Sequence, residues 1–212
     1  MTNILLIDDH EIIRSGLKMC VKSLVPDGEV DEAADGDSAY KKVKQKEYQL
    51  IVMDICMPGT DSFGLLGNIL ATRPSANILV FSMNEEKVFA KRYLQLGAKG
   101  YICKSAPHSE IINAITVVLN NKRYLSPFLK TLLTDELIEQ KKDNPFDNLS
   151  QREFEIVQHL IRGESPAAIC KKLSIHSSTV ATHKARIFDK LNCKNVIEIC
   201  TLAKANNMIT SF

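Results

Sequence analysis

The stretch Leu50-Ile51-Val52-Met53-Asp54-Ile55-Cys56-Met57-Pro58-Gly59 decides the fold. Four apolar residues run into an aspartate, and a Pro-Gly turn signal follows shortly after. A short apolar run bounded by turn residues predicts a strand buried on both faces, as in a parallel sheet. Asp54 would then lie at the carboxyl end of the strand, the edge at which open α/β sheets bind ligands. The stretch alone is equally consistent with an aspartate that only caps the turn.

Around this stretch, the first half of the chain alternates strand-like and helix-like segments. The predicted strands cover residues 3–7, 29–34, 49–53, 76–81 and 99–103, and the helices cover 11–24, 37–46, 62–72, 85–96 and 107–120. Five successive βα units predict an α/β fold, a doubly wound five-stranded parallel sheet with right-handed crossovers. With strand order 2-1-3-4-5, the topology reverses between strands 1 and 3. The last of these helices is more apolar than one buried face requires, which suggests a partner surface.

The rest of the chain reads differently. Residues 122–148 are interpreted as a partly helical linker, with a helix over 126–139 and a polar hinge over 140–145. Residues 149–212 are predicted to be all-α with four helices. Ser150 and Glu153 form a capping box that begins the first helix, which ends near Ile161. The others cover 166–173, 177–191 and 195–206, with a turn over 174–176.

Composition limits the class of protein. Hydrophobic content of 45% and charged content of 25% are ordinary for a globular protein. No signal peptide or membrane-length apolar run is visible, and the six scattered cysteines indicate a reducing, cytoplasmic setting. Residues 1–121 carry 13 basic and 15 acidic side chains, whereas residues 122–212 carry 14 and 10. A basic stretch from Lys171 to Lys194 indicates either a polyanion partner or a solvated helix face.

Polar residues follow four of the predicted strands. Asp8 and Asp9 end the first, Asp54 the third, Ser82 the fourth and Lys104 the fifth. Converging carboxylates repel one another and favour a cation, and oxygen ligands with room for water suit Mg²⁺. A lysine and a hydroxyl facing a carboxylate make a site for a transferred phosphoryl group, with Asp54 as the nucleophile.

Several motifs in this order make residues 1–121 similar to the receiver domain of a two-component response regulator. The matching pieces are Ile7-Asp8-Asp9-His10, Met53-Asp54-Ile55-Cys56-Met57-Pro58-Gly59, Ser82 and Gly100-Tyr101-Ile102-Cys103-Lys104. The resemblance implies that Asp54 accepts phosphate from a histidine kinase. It implies that Asp9, Asp54 and the Cys56 carbonyl hold Mg²⁺, with Asp8 acting mostly through water. Ser82 and Tyr101 would be the switch pair, with the tyrosine ring repacking inward.

Residues 149–208 resemble the LuxR-type helix-turn-helix domain of NarL/FixJ-type regulators. The matching residues are Leu149-Ser150-Gln151-Arg152-Glu153, Gly163, Ile169, Leu173, Ile175, Thr179-Val180, His183, Ile187 and Lys190-Leu191. The family often has a lysine where Ala181 stands and a hydroxyl residue where His176 stands, so lysine readout of guanine is in doubt here. In similar proteins the last helix pairs two DNA-binding domains, which implies a homodimer on a two-fold-related site.

The predicted recognition helix can be read on its own. Val180, Ile187 and Leu191 share one stripe, which we expect to be buried. The opposite side carries small residues, and our hypothesis is that Thr182 hydrogen bonds and Ala181 or Ala185 against thymine methyls read the bases. Phosphate contacts would supply most of the affinity. The full set of expected DNA-contacting residues is Lys171, Lys172, Ser178, Thr179, Ala181, Thr182, His183, Lys184, Ala185, Arg186 and Lys190, with Lys194 as a further phosphate contact.

The sequence therefore predicts a phosphorylation-controlled DNA-binding transcription regulator, not an enzyme, with DNA and a histidine kinase as partners. Two alternatives remain at this point. A Mg²⁺-dependent phosphohydrolase could use Asp54 as its nucleophile, although no substrate loop or cap domain is visible. A protein-interaction module could use the helical half to bind a protein instead of DNA.

Overall fold

The computed structural model describes residues 2–138, 144–173, 175–206 and 208. The chain divides into two compact units, residues 1–134 and 135–212. The predicted hinge over 140–145 lies mostly outside the described residues, and so does Ser174 in the predicted turn. Among the described helices, none combines the length and apolarity needed to cross a bilayer. All six cysteines are free thiols.

The first unit is a parallel sheet with alternating helices. Its strands are β1 (Asn3–Ile7), β2 (Glu29–Ala33), β3 (Leu50–Met53), β4 (Ile78–Ser82) and β5 (Gly100–Cys103). Its helices are α1 (Glu11–Leu24), α2 (Gly36–Gln45), α3 (Ser62–Thr72), α4 (Glu86–Leu96) and α5 (His108–Leu119), followed by α6 (Pro127–Ile138). The strand order is β2-β1-β3-β4-β5 and every pair is parallel, which confirms the predicted fold class.

Strands β1, β3, β4 and β5 are largely buried because helices cover both sheet faces, whereas the edge strand β2 is mostly half-buried. On one face, alternate strand residues pack with α1 and α5 in a core that includes Leu6, Val52 and Ile102. On the other face, the Phe63 ring of α3 stacks on Tyr93 of α4 with ring centroids 4.2 Å apart. All four residues of β3 are buried, as the apolar run predicts.

Strand register brings the polar residues together. Ile7 pairs with Met53, so Asp8 and Asp54 follow at the same level of the sheet edge. Ser82 pairs with Cys103, which places Lys104 one residue beyond. Backbone hydrogen bonds hold both continuations, from Asp54 N to Ile7 O at 2.8 Å and from Lys104 N to Ser82 O at 2.8 Å.

Helix boundaries differ from the predicted ones by about one residue. Asp35 caps α2, since its side chain accepts from Ser38 N, so α2 begins at Gly36 instead of residue 37. Pro107 precedes α5 as its N-cap instead of lying in its first turn. These shifts arise because hydrogen bonding sets the cap, which apolar spacing does not report.

The first part of the predicted linker is packed on the first unit. Tyr124 belongs to the core cluster, and its N–H donates to Lys99 O at 2.8 Å beside β5. Its hydroxyl donates to Glu110 Oε1 of α5 at 2.7 Å. Ser126 then caps α6, accepting from the N–H of the fully buried Leu129 at 3.0 Å.

The second unit is helical, as predicted. A short 3-10 helix (Pro145–Asn148) precedes α7 (Gln151–Ile161), α8 (Pro166–Leu173), α9 (Ser177–Leu191) and α10 (Val196–Ala205). The capping box is confirmed, because Ser150 and Glu153 exchange side-chain-to-backbone bonds at 3.3 Å and 2.7 Å. Val180, Ile187 and Leu191 are buried against the rest of the unit, which confirms the stripe read from the sequence.

Candidate phosphoacceptor pocket and nucleic-acid interface

Four side chains at the carboxyl edge of the sheet meet in one pocket. Asp8, Asp9, His10 and Asp54 each place one ligand atom within 4.8 Å of the others. Asp8 and Asp54 are each only 1% exposed, and Asp9 is half-buried. Buried carboxylates this close repel one another unless a cation neutralises them.

Lys104 supplies part of that positive charge. Its Nζ donates to Asp8 Oδ2 at 2.5 Å and to Asp54 Oδ2 at 2.8 Å. The lysine side chain is itself 6% exposed, so both ion pairs are shielded from water. One ammonium still faces three carboxylates, which leaves the pocket net negative.

In Asp8 and Asp54 alike, one carboxylate oxygen accepts a hydrogen bond from a backbone N–H and the other faces Lys104. Asp54 Oδ1 accepts from Cys56 N at 3.0 Å, and Asp8 Oδ1 accepts from His10 N at 2.9 Å. The second oxygen of each faces Lys104. Asp54 therefore does cap the turn after β3, and it also faces the pocket, so the two interpretations of this aspartate are not exclusive.

Burial and the ion pairs have opposite effects on the pKa values of Asp54 and Lys104. Burial raises the pKa of Asp54, and the Lys104 hydrogen bond offsets only part of this effect. For Lys104, burial alone would lower the pKa, but the bonds to Asp54 and Asp8 outweigh it and raise the pKa. The lysine therefore stays charged, and a further cation would favour the ionised form of Asp54.

The donor set fits a hard divalent cation. Asp9 Oδ1 is buried and has no hydrogen-bond partner among the described residues. It lies 2.8 Å from His10 Nδ1, but the two atoms are not aligned for a hydrogen bond. An unsatisfied buried carboxylate oxygen beside two others is what an oxygen-ligated metal ion would satisfy. The His10 side chain is 62% exposed.

Ser82 and Tyr101 are linked through one loop residue. Ser82 Oγ accepts from Asn84 N at 3.1 Å, and the Tyr101 hydroxyl donates to Asn84 O at 3.0 Å. The Tyr101 ring is fully buried, so it already occupies the inward position that the resemblance associated with switching. Burial also raises the pKa of Tyr101. Asn84 was missed because a loop residue acting through its backbone leaves no side-chain signal.

Cys56 lies beside this pair. Its side chain is exposed, and Sγ is 3.4 Å from Ser82 Oγ. Its backbone N–H is the donor to Asp54, which places the backbone of residue 56 at the pocket wall. Use of its carbonyl as a metal ligand stays a prediction.

In the second unit, α9 exposes the face expected to read DNA. Ser178, Ala181, Thr182 and Ala185 are all exposed. The Thr182 hydroxyl donates to Ser178 O at 2.9 Å, so its lone pairs remain free to accept a hydrogen bond. Among base edges in the major groove, the amino groups of adenine and cytosine can donate such a bond, and our hypothesis assigns it to adenine.

The basic side chains that we expect to contact phosphate differ in their exposure and in the contacts they already make. Lys171, Arg186 and Lys194 are exposed, and Lys184 lies over the Phe188 ring at 5.5 Å. Lys172 is bridged to Glu164 at 2.8 Å.

Lys190, expected to contact phosphate, is 41% exposed and donates to buried Glu153 at 2.7 Å, so its contact with phosphate stays a prediction. Thr179 and His183 are half-buried, and burial lowers the pKa of His183, which makes a charged phosphate contact by its ring unfavourable.

Comparison with known proteins follows this division of the chain. A family model described as the response regulator receiver domain matches residues 4–116, and one described as bacterial regulatory proteins, luxR family, matches residues 147–203.

The chain is 30% identical over 209 residues to response regulator GacA of Pseudomonas protegens, covering 99% of this chain and 98% of the relative. It is 33% identical to the oxygen regulatory protein NreC of Staphylococcus carnosus, covering 97% and 98%. RcsB of Salmonella enterica serovar Typhimurium, solved bound to promoter rprA with the phosphomimetic BeF3-, shares the fold with a TM-score of 0.67 at 20% identity, covering 97% and 100%.

Proposed function

The chain belongs to the two-component response regulators that join a receiver domain to a LuxR-type DNA-binding domain, and we propose that Asp54 is its phosphoacceptor. The observation that carries this proposal is that Lys104 Nζ contacts both Asp54 and Asp8, and that all three side chains are nearly buried. A carboxylate held at 2.8 Å from an ammonium is positioned for a phosphoryl group whose oxygens that ammonium can then contact. The family is one of phosphorylation-controlled transcription regulators, with DNA and a histidine kinase as partners.

Each residue of the pocket has a separate task. Asp54 Oδ2 attacks the phosphorus as the bond from phosphorus to the donor breaks, and the leaving group is the kinase histidine nitrogen or the acyl oxygen of an acyl phosphate. Oδ1 keeps its bond to Cys56 N and so fixes the carboxylate orientation. Lys104 moves its charge from the carboxylate to the phosphoryl oxygens. The Ser82 hydroxyl donates to another of those oxygens, and its movement toward the phosphoryl group would lengthen the bond that it accepts from Asn84 N.

Mg²⁺ is the cofactor that this donor set favours. Asp9, Asp54 and the Cys56 carbonyl would hold it, with Asp8 acting mostly through water. When bound, it neutralises charge on the phosphoryl oxygens. The unsatisfied Asp9 oxygen supports this assignment.

Two contacts connect the elements around the pocket with the start of the linker. Tyr101 holds the Asn84 carbonyl, two residues before α4 begins. Tyr124, in the first part of the proposed linker 122–148, bonds to Glu110 of α5. A change at Ser82 therefore reaches α4 and β5, the elements beside which the linker starts.

We propose that the receiver covers residues 1–121 and the DNA-binding domain residues 149–212. The exposed face of α9 would enter the major groove, with Thr182, Ala181 and Ala185 against bases. The remaining contacts would come from Ser178, Thr179, Lys171, Lys172, Lys184, Arg186, Lys190 and Lys194, while the half-buried His183 supports the helix. Exposed Ile197 of α10 is proposed as part of the homodimer surface.

The test is phosphorylation and DNA retention on the protein's own upstream DNA. Acyl phosphate with Mg²⁺ should shift the wild-type protein on a phosphate-affinity gel and increase its affinity for DNA. Asp54→Ala should do neither, and Asp37→Asn, a change at an exposed aspartate of α2, should behave as wild type. Equal behaviour of wild type and Asp54→Ala would refute the assignment.

The same experiment separates the alternative functions. We expect at most one phosphoryl group per chain and no repeated turnover of a phosphate ester. Turnover would favour a phosphohydrolase. Absence of DNA retention with and without donor would favour a protein-binding helical domain.

A further inference from the structure

A cysteine and a histidine from two helices meet at the edge of an apolar groove on the first unit. Cys20 of α1 places Sγ 3.5 Å from His108 Nε2, at the start of α5. The groove has a volume of about 560 Å³ and is lined by both residues together with Ile12, Met19 and Ile111 among others. Neither side chain has a role in the phosphoacceptor pocket.

The separation of the two atoms equals that of two ligands on one tetrahedral metal ion. Zinc binds cysteine sulfur at about 2.3 Å and histidine nitrogen at about 2.0–2.1 Å. At the tetrahedral angle these bond lengths place sulfur and nitrogen about 3.5 Å apart. The observed separation of Cys20 Sγ and His108 Nε2 therefore matches one edge of a tetrahedral site.

A pair of ligands leaves a tetrahedral site half complete, and the surface around it indicates what completes it. Ile12 is 81% exposed and Met19 is 76% exposed, values that are high for large apolar side chains. They lie with Gly16 on one stripe of α1, at spacings of four and three residues. A Cβ added at Gly16 would meet no atom within 4 Å, so this face is open to close approach by another helix.

We propose that Cys20 and His108 are half of a zinc-type metal site, completed by the same two residues of a second copy of this chain. A two-fold axis through the metal brings each stripe of Ile12, Gly16 and Met19 against its symmetry mate. One ion then serves two chains with two sulfur and two nitrogen ligands. This site is separate from the acidic pocket, because thiolate and imidazole select zinc-class ions whereas the carboxylates select Mg²⁺.

Cobalt(II) is the probe for the site, since it occupies zinc sites and reports its ligands by absorption. The full-length protein is titrated with Co²⁺ in excess Mg²⁺, which keeps the acidic pocket filled. We expect a thiolate-to-cobalt absorption band and the intense visible bands of tetrahedral cobalt, saturating at half an equivalent per chain. Sedimentation should show a dimer with Zn²⁺ and a loss of that dimer with chelator.

Matched variants decide the assignment. Cys20→Ser and His108→Asn should each remove the absorption band and the Zn²⁺-dependent dimer while leaving far-UV circular dichroism unchanged. Cys103→Ser, whose thiol contacts Ser105 and no histidine, should retain both. Asp54→Ala should also retain the absorption band and the Zn²⁺-dependent dimer, because this metal site does not depend on the phosphoacceptor. The proposal is overturned if Cys20→Ser keeps the absorption band, or if the wild-type protein binds one ion per chain and forms no dimer.

Discussion

Replacing Lys104 by methionine is the sharpest test of the pocket's electrostatics. The substitution keeps the length of the side chain and removes its charge, so Asp8 and Asp54 lose the ammonium at 2.5 Å and 2.8 Å. Both carboxylates are only 1% exposed, and water cannot replace the lost partner without opening the pocket. Breaking a buried ion pair from one side costs about 3–5 kcal/mol of unfolding free energy. We expect a loss of this size in the presence of EDTA.

Mg²⁺ should restore part of that stability. A divalent cation among the same carboxylates supplies the charge that methionine lacks, and binding to the folded state alone stabilises it by mass action. The deficit of Lys104→Met should therefore shrink as Mg²⁺ rises into the millimolar range. The wild type should gain less, since its lysine already neutralises one charge.

The chain offers a selective signal for this measurement. It has no tryptophan, and its five tyrosines (40, 48, 93, 101 and 124) all lie in the first unit. Tyrosine emission during urea unfolding of the full-length protein therefore reports that unit only.

Lys46→Met is the matched control. Lys46 also contacts two carboxylates, Glu29 at 2.7 Å and Asp31 at 3.1 Å, but these side chains are 30–50% exposed. Its loss should be small, sensitive to salt and insensitive to Mg²⁺, because solvent screens exposed pairs. If Lys104→Met loses no more than Lys46→Met, or if Mg²⁺ does not reduce its deficit, the electrostatic account of the pocket is wrong.

Three further predictions concern other parts of the chain. Tyr124→Phe removes the 2.7 Å bond to Glu110, and we expect a loss of about 1.5–3 kcal/mol, as for bonds to charged groups, together with faster proteolysis at the start of the linker. Glu153→Gln should reduce the loss of thermal stability that the second unit shows as pH falls, as measured by far-UV circular dichroism. Burial opposes ionisation of Glu153, but bonds from Lys190 and the capping box hold its pKa below the usual value, so its stabilisation is present above the unfolded pKa and is lost as pH falls through the folded one. Thr182→Val should lower discrimination at an A·T position by about 1 kcal/mol in gel shifts, and a dominant G·C position would contradict the role of Thr182.

Much of the first unit was predictable because its signals are local. The alternation of apolar runs and helical spacing gave the order of the elements, with boundaries within one or two residues of the predicted ones; the largest difference is β4, predicted from residue 76 and observed from Ile78. Asp8, Asp54 and Lys104 were predicted to meet because parallel strands place their carboxyl ends at one edge, and they do. The buried stripe of α9 followed from spacing alone.

Other features depend on contacts between distant segments. Nothing in the spacing of Lys190 shows that its charge is paired with Glu153, 37 residues away. The same holds for Cys20 and His108, which are 88 residues apart and meet only because α1 and α5 pack on the same sheet face. Whether the Tyr101 ring points inward also depends on its neighbours in space.

The sequence by itself determined which residue types stand at the ends of strands and on the faces of helices, because periodicity and turn signals act over a few residues. The tertiary structure decided how each polar atom is paired, because a charge or hydrogen bond is satisfied by whatever packing brings within about 3 Å. Asp54 illustrates both. Its position after β3 follows from the sequence, whereas its two oxygens accept hydrogen bonds from Cys56 and Lys104 together only once β3, β4 and β5 lie side by side.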